Sequence, residues 1–243
     1  MAIIYAATTD GGVRSYGPTN TSWDSVHDND GSTYAFAVPT AADSIIYGPG
    51  VQYSTGTGVF NIYRTFFAFD VSGISDAPGS ANFVFKTNTY SNGDIIIVKA
   101  TKPDTSSNVA GSDFNALTGW QSGFNNTHLT AYSAKVSGAG SGTAVHTVAL
   151  NSTALSDIAS LSTLAICLMN YDHDYVDSAP TSNLSATQQF GMYFANSTGT
   201  GNDPYLEYTA AGFSHEISGV TGGNINSVSG VLAASISDRS GVE

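Results

Sequence analysis

Two stretches of the chain gather side chains able to do chemistry. The first is Asp172-His173-Asp174, flanked by Tyr171 and Tyr175 and following the apolar run Leu164 to Met169. A histidine between carboxylates has the parts of a general base or a metal ligand, because imidazole titrates near neutrality and a carboxylate can orient it. No nucleophile motif accompanies it, and His27, His128, His146 and His215 stand apart from one another in sequence. The stretch therefore reads as a non-catalytic, solvated loop. If Tyr171, Asp172, His173, Asp174 and Tyr175 touch a ligand, a sugar suits them, since tyrosine offers a stacking face beside hydrogen-bonding groups.

The second stretch holds Asp24, Asp28, Asn29, Asp30 and Gly31. Asp24, Asp28 and Asp30 could give oxygens to calcium, which takes about six to eight of them. The EF-hand spacing is missing, and an acidic turn closed by side-chain-to-backbone hydrogen bonds is the competing reading. No other cofactor is implied. Cys167 is alone, so it makes no disulfide or cysteine metal site within the chain and reads as a buried small hydrophobe. Trp23 and Trp120 could stack on sugar rings, though buried anchoring is the commoner role of a lone tryptophan.

These residues sit in a chain that is polar yet scarcely charged. Charged residues make up 11% of its 243 positions, against about 25% in ordinary soluble domains. Seven Lys and Arg face 19 Asp and Glu, a net charge of −12, which excludes binding nucleic acid by phosphate neutralisation. No apolar run approaches the ~18 residues of a membrane span. The opening Met1-Ala2-Ile3-Ile4-Tyr5-Ala6 lacks the basic and long apolar regions of a signal peptide. The expectation is a protein made in the cytoplasm with the composition of a durable exposed surface, a combination that a virus particle assembled inside its host reconciles.

The elements that must position these groups are strands. Short apolar or alternating runs, separated by Gly, Pro, Asn, Asp and Ser, lie near 3–6, 34–38, 44–53, 60–71, 80–89, 94–100, 131–136, 144–149, 164–170, 188–194 and 205–209. Their number and spacing predict an all-β, jelly-roll-type antiparallel sandwich over residues 1–212. Short helices are expected after Asp113 and after Asn151 or Ser152. Between Tyr63 and Val71 the alternation sends Thr65, Phe67, Phe69 and Val71 to one face, and Arg64, Phe66, Ala68 and Asp70 to the other. Arg64 and Asp70 are too far apart to pair, so each is expected to find a cross-strand partner. Ile95 to Val98 and Leu164 to Met169 are apolar on both faces, which suits central strands covered by sheet and loops, or an outer face packed on another subunit.

Residues 213–243 differ in kind. Ile217-Ser218-Gly219-Val220 recurs 11 residues later as Val228-Ser229-Gly230-Val231, and again as Arg239-Ser240-Gly241-Val242, with Ile225 and Ile236 matching at the same spacing. A Ser-Gly pair in every repeat disfavours helix, so an extended strip that lies on a neighbour or winds with its copies is expected. Ile217, Val220, Ile225, Val228, Val231 and Ile236 are its assembly residues.

The strand Asn61-Ile62-Tyr63-Arg64-Thr65-Phe66-Phe67-Ala68-Phe69-Asp70-Val71-Ser72-Gly73-Ile74 resembles the arginine–aromatic strand of DNRLRE-type jelly-roll domains, which are related in shape to carbohydrate-binding modules. The run from Ala77 to Phe85 is similar to that family's next turn and strand, and Asp203-Pro204-Tyr205-Leu206-Glu207-Tyr208-Thr209 to its closing strand. The opening Thr21-Ser22-Trp23-Asp24-Ser25-Val26-His27-Asp28 and the Ser-Gly-Val repeats resemble phage structural proteins. These resemblances imply a non-catalytic virion component, a head-decoration, capsid-fibre or tail-fibre protein. The expected partners are its own copies, as a homotrimer, and capsid or tail proteins. The alternative is a carbohydrate-binding module that recognises a glycan; neither nucleic acid nor membrane is an expected partner.

Overall fold

The computed structural model describes residues 1–29, 31, 35–38, 46–89, 93–123, 128–138, 142–184, 189–196, 199–211, 227–228 and 231–232. The chain folds as an all-β antiparallel sandwich. Among the described residues, eleven strands join in one branched hydrogen-bonded network: β1 (Ala2–Tyr5), β2 (Gly11–Tyr16), β3 (Ala35–Val38), β4 (Ile46–Ser54), β5 (Val59–Asp70), β6 (Ser80–Thr89), β7 (Ile95–Lys99), β8 (Ala144–Ala149), β9 (Thr163–Asn170), β10 (Gln189–Met192) and β11 (Tyr205–Thr209). Helices are short: α1 (Trp23–His27), α2 (Ser152–Ser160), a 3-10 turn at Gly111–Asp113 and a π-helical turn at Tyr171–Tyr175.

The front layer is built on β5, the longest strand. One edge of β5 carries β2 and then β3; the other carries β4 along its first half and β9 along its second, with β7 beyond β9. The back layer runs β1-β11-β6-β8. Strand β10 pairs with both β6 and β4, with register shifts on each side. Such irregularities let a strand turn a corner between layers.

The alternation read in β5 decides which core each side chain enters. Phe67, Phe69 and Val71 join Ile95, Ile97, Leu164, Ile166 and Leu168 in facing Phe83, Phe85, Val148 and Leu206 of the back layer. The rings of Phe67 and Phe83 lie 5.2 Å apart and those of Phe83 and Phe85 5.3 Å; burial of each contributes about 1.5–3 kcal/mol. Helix α2 closes one end with Ala154 and Ile158, capped by Asn151, whose side chain accepts the Ala154 N–H at 3.1 Å.

The opposite face of the front layer is also buried. Ile96, Val98, Ala165, Cys167 and Met169 form a second core with Val26 and Trp23 of α1 and with Phe114, Leu117 and Leu129 of the segment after β7. The doubly apolar strands are thus covered by their own chain, not by a neighbouring subunit. The run expected as a strand at 131–136 is reduced to two bridges onto β7, Val98 with Ala131 and Ile95 with Val136. In the repeat segment, β12 (Ser227–Val228) pairs antiparallel with β13 (Val231–Leu232), Val228 opposite Val231. Ile217, Val220, Ile225 and Ile236 lie outside the described residues.

Candidate functional site

The densest meeting of titratable groups lies inside the second core. Arg64 points from the middle of β5 into this apolar layer, and its side chain is fully buried. A guanidinium there must be paired, since stranding a charge away from water costs several kcal/mol. Its partner is Asp174, also fully buried: Nε donates to Oδ2 at 3.0 Å and Nη2 to Oδ1 at 2.7 Å. Nη1 donates to the Phe114 carbonyl at 2.8 Å and to Asn115 Oδ1 at 2.7 Å. The guanidinium carbon lies 3.9 Å from the centre of the Phe114 ring and 4.3 Å from that of Trp120. Arginine alone offers this planar fork together with a face for aromatic rings.

His27 completes the cluster. The last residue of α1, it donates from Nε2 to the Asp174 carbonyl at 2.9 Å and from Nδ1 to Asp28 Oδ1 at 2.9 Å, and it stacks on Trp23 at 5.1 Å. Burial works against the imidazolium, but hydrogen bonds to Asp174 and Asp28 and the charge of Asp174 outweigh it. The His27 pKa is pushed up to about 9, so both ring nitrogens carry protons at neutral pH. Burial likewise opposes the Asp174 anion, yet the charge of Arg64 and the hydrogen bonds from His27 and Arg64 hold its carboxyl below the usual range.

Around this centre the peptide segments are tied in turn. Asp28 Oδ2 accepts the Gly123 N–H at 2.7 Å, Ser15 Oγ donates to the Val26 carbonyl at 2.7 Å, and Trp23 Nε1 donates to Asp177 Oδ1 at 2.7 Å. Asn115 donates to the main chain at Asn29. The cluster therefore fastens β5, α1, the covering segment 111–123 and the π-helical turn to one point. Arg64, Asp174 and the His27 side chain are all inaccessible, and their described contacts are with the protein's own segments.

This changes the reading of the Asp-His-Asp stretch. The turn at Tyr171–Tyr175 holds the five residues together, but Asp174 faces inward to Arg64 and leaves the ligand-contact set. Asp172 pairs with Lys135 at 2.8 Å, His173 Nδ1 meets the Ser178 carbonyl at 2.8 Å, and Tyr171 stacks on Tyr175 at 5.4 Å. The partner expected for Arg64 on a neighbouring strand comes instead from the turn after β9. Asp70 is exposed and caps its own turn through Ser72. Of the calcium candidates, Asp24 is exposed in the first turn of α1, Asp28 spends its oxygens on His27 and Gly123, and Asp30 lies outside the described residues.

No protein-family model and no curated protein matches the chain. The surface must therefore speak from its own chemistry. On the open part of the front layer, cross-strand register aligns Tyr16, Asn61 and Gln52 in one row, with Arg14 and Tyr63 opposed in the next. Tyr16 is 40% exposed. Arg14 lies over its ring, 4.6 Å from the centre, and its Nε donates to Asn61 Oδ1 at 3.0 Å. Gln52 and Asn61 also line a shallow groove of about 290 Å³ with Tyr53, Val59 and Leu184.

Proposed function

We propose that the chain is a non-catalytic structural component of a phage particle, a head-decoration, capsid-fibre or tail-fibre protein. The sandwich is exposed on the particle, and the 11-residue repeat drives self-association as a homotrimer. The observation that carries this reading is a strand pairing within the repeat segment: β12 and β13 run antiparallel, with Val228 opposite Val231. A unit of two short paired strands cannot bury its apolar positions alone, so it needs copies of itself or a neighbour. The inward commitment of Arg64, Asp174 and His27 supports the non-catalytic part, because it leaves them as fasteners of a rigid body.

The test is the solution mass of the purified full chain together with its co-sedimentation with particles of a phage that encodes it. A trimer that sediments with particles supports the proposal. A monomer absent from every particle fraction sinks it.

The row Tyr16, Asn61 and Gln52 beside Arg14 favours carbohydrate recognition as the second reading, since an exposed ring amid amide and guanidinium groups is the kind of surface that holds a sugar. It predicts chemical-shift changes at these residues on addition of host-surface polysaccharide, weakened by Tyr16→Ala. A glycan array without hits would count against it.

A further inference from the structure

The alternation that sends Phe67 and Phe69 toward the back layer puts Asn61 and Tyr63 on the same side of β5. Register places Tyr16 and Gln52 beside Asn61, Arg14 beside Tyr63, and Ser54 beside Val59. Tyr63 is buried, but Tyr16 is exposed, and Arg14, Asn61, Gln52, Ser54 and Val59 are half-buried. The inner face of the front layer is therefore open at this end of the sandwich. The groove of about 290 Å³ lies here, on Gln52, Ser54, Val59 and Asn61, with Thr57 and Leu184 also lining it.

Arg14 organises the opening. Its guanidinium carbon lies 4.6 Å from the centre of the Tyr16 ring and 5.5 Å from that of Tyr63. Its Nε donates to Asn61 Oδ1 at 3.0 Å, and Nη2 donates to the same oxygen. An amide whose oxygen is gripped by a cation must turn its nitrogen the other way. Among the described residues nothing accepts from Asn61 Nδ2, so its two N–H donors stay open near the exposed Tyr16 ring. A ligand that fits must bring acceptor oxygens and a face for an aromatic ring, and a sugar supplies both. Among the described residues no charged side chain lines the groove, the nearby cation already spends two donors on Asn61, and a net charge of −12 repels a polyanion. Tyr16, Asn61 and Gln52 span two strand spacings, about 10 Å, more than one sugar ring covers. A shallow groove of that length takes the interior of a chain, not its end.

Resting on the carbohydrate reading given above, we infer that this opening seats the interior of an uncharged linear polysaccharide. Tyr16 stacks on one sugar ring, Asn61 donates from Nδ2 to ligand oxygens, and Arg14 is the positioning residue that fixes both.

The full chain, isotope-labelled for NMR, is titrated with cellohexaose, laminarihexaose and mannohexaose, and separately with an alginate hexamer. At least one neutral hexamer is expected to shift the Asn61 side-chain amide signals, and the alginate hexamer is expected to leave them in place. Tyr16→Ala and Asn61→Asp are each expected to weaken binding about tenfold. Arg14→Lys keeps the charge without the planar fork, so it is expected to weaken binding as much as Arg14→Met does, with a melting temperature close to the wild type. Full affinity in Arg14→Lys overturns the positioning role, and a preference for alginate overturns the uncharged ligand. A neutral hexamer that binds but shifts other residues overturns this site while the carbohydrate reading stands. Binding of none of the four, with a glycan array also without hits, overturns both.

Discussion

Arg64 shows how one side chain can be read in a sequence and still not be understood from it. It stands between Ile62 and Phe66 on a face that is otherwise apolar, and that position alone requires a buried partner. Which partner it takes depends on the turn after β9, 110 positions away, and on α1, neither of which periodicity can place. His27 looked isolated for the same reason: its neighbours are assembled by tertiary contacts. The energetic consequence is specific. Arg64→Met takes the bidentate partner from Asp174, leaving that buried carboxylate only His27, and is expected to cost about 3–5 kcal/mol. The double variant Arg64→Met with Asp174→Leu is expected to lose less than the sum of the two single changes, because both charges of the pair leave together and His27 keeps Asp28 as its partner. Urea unfolding of the three variants measures the coupling; strict additivity would show that the pair does not act as a unit. His27 adds a pH dependence. Its folded-state pKa, about 9, lies above the ordinary imidazole value of 6.5. Its stabilisation is therefore fully present below pH 6.5 and is lost as pH rises through about 9, a difference of roughly 3 kcal/mol. His27→Gln is expected to flatten the stability profile over that window, and a wild-type profile already flat there would contradict the assigned proton.

Elements were legible where one force dominated. Strands β6, β8 and β11 have the bounds expected from alternation, and α2 begins after the Asn151 cap. Strand β2 was missed because Gly11 and Gly12 dilute its pattern; its place is set by pairing with β5 along six residues. Helix α1 was missed although a signal existed: Ser22 caps it by accepting the Ser25 N–H, ahead of Trp23, Val26 and His27 at helical spacing. The segment after β7 carries no period at all, since it covers a sheet face with single anchors such as Phe114 and Leu117. Its shape depends instead on turns. Gly119 has φ +91°, and a Cβ there would lie 2.1 Å from the His128 carbonyl oxygen. Gly123 has φ +77° but open space around it. Gly119→Ala is therefore expected to destabilise the protein by more than Gly123→Ala, which incurs only the backbone cost of about 1 kcal/mol. Hydrogen exchange at Phe114 and Leu117 reports whether the loss comes from lifting this cover. Equal effects of the two substitutions would mean that the close approach of residues 119 and 128 does not matter.

At the scale of the molecule, the sandwich satisfies its own needs. Both faces of β7 and β9 are covered from within, so association cannot rest on these apolar strands, which leaves less of the body to serve as an interface. The repeat is different, because among the described residues β12 and β13 form a sheet of two strands, too little to stand alone in water. If copies of the repeat supply what it lacks, assembly and folding of the sandwich are separable. Asp at Val228 or Val231 places a charge in the proposed contact between copies, where desolvation penalises it. Val228→Asp and Val231→Asp in the full chain are thus expected to shift the solution mass from about 75 kDa, three copies of a 25.1 kDa chain, toward the monomer. The melting transition of the sandwich is expected to stay where the monomeric form has it, since none of the core residues changes. Light scattering across a concentration series distinguishes the cases. A trimer unmoved by both substitutions would transfer the interface to the sandwich surface, whose exposed Ile3, Tyr5 and Val145 lie on the edge strands β1 and β8 of the back layer.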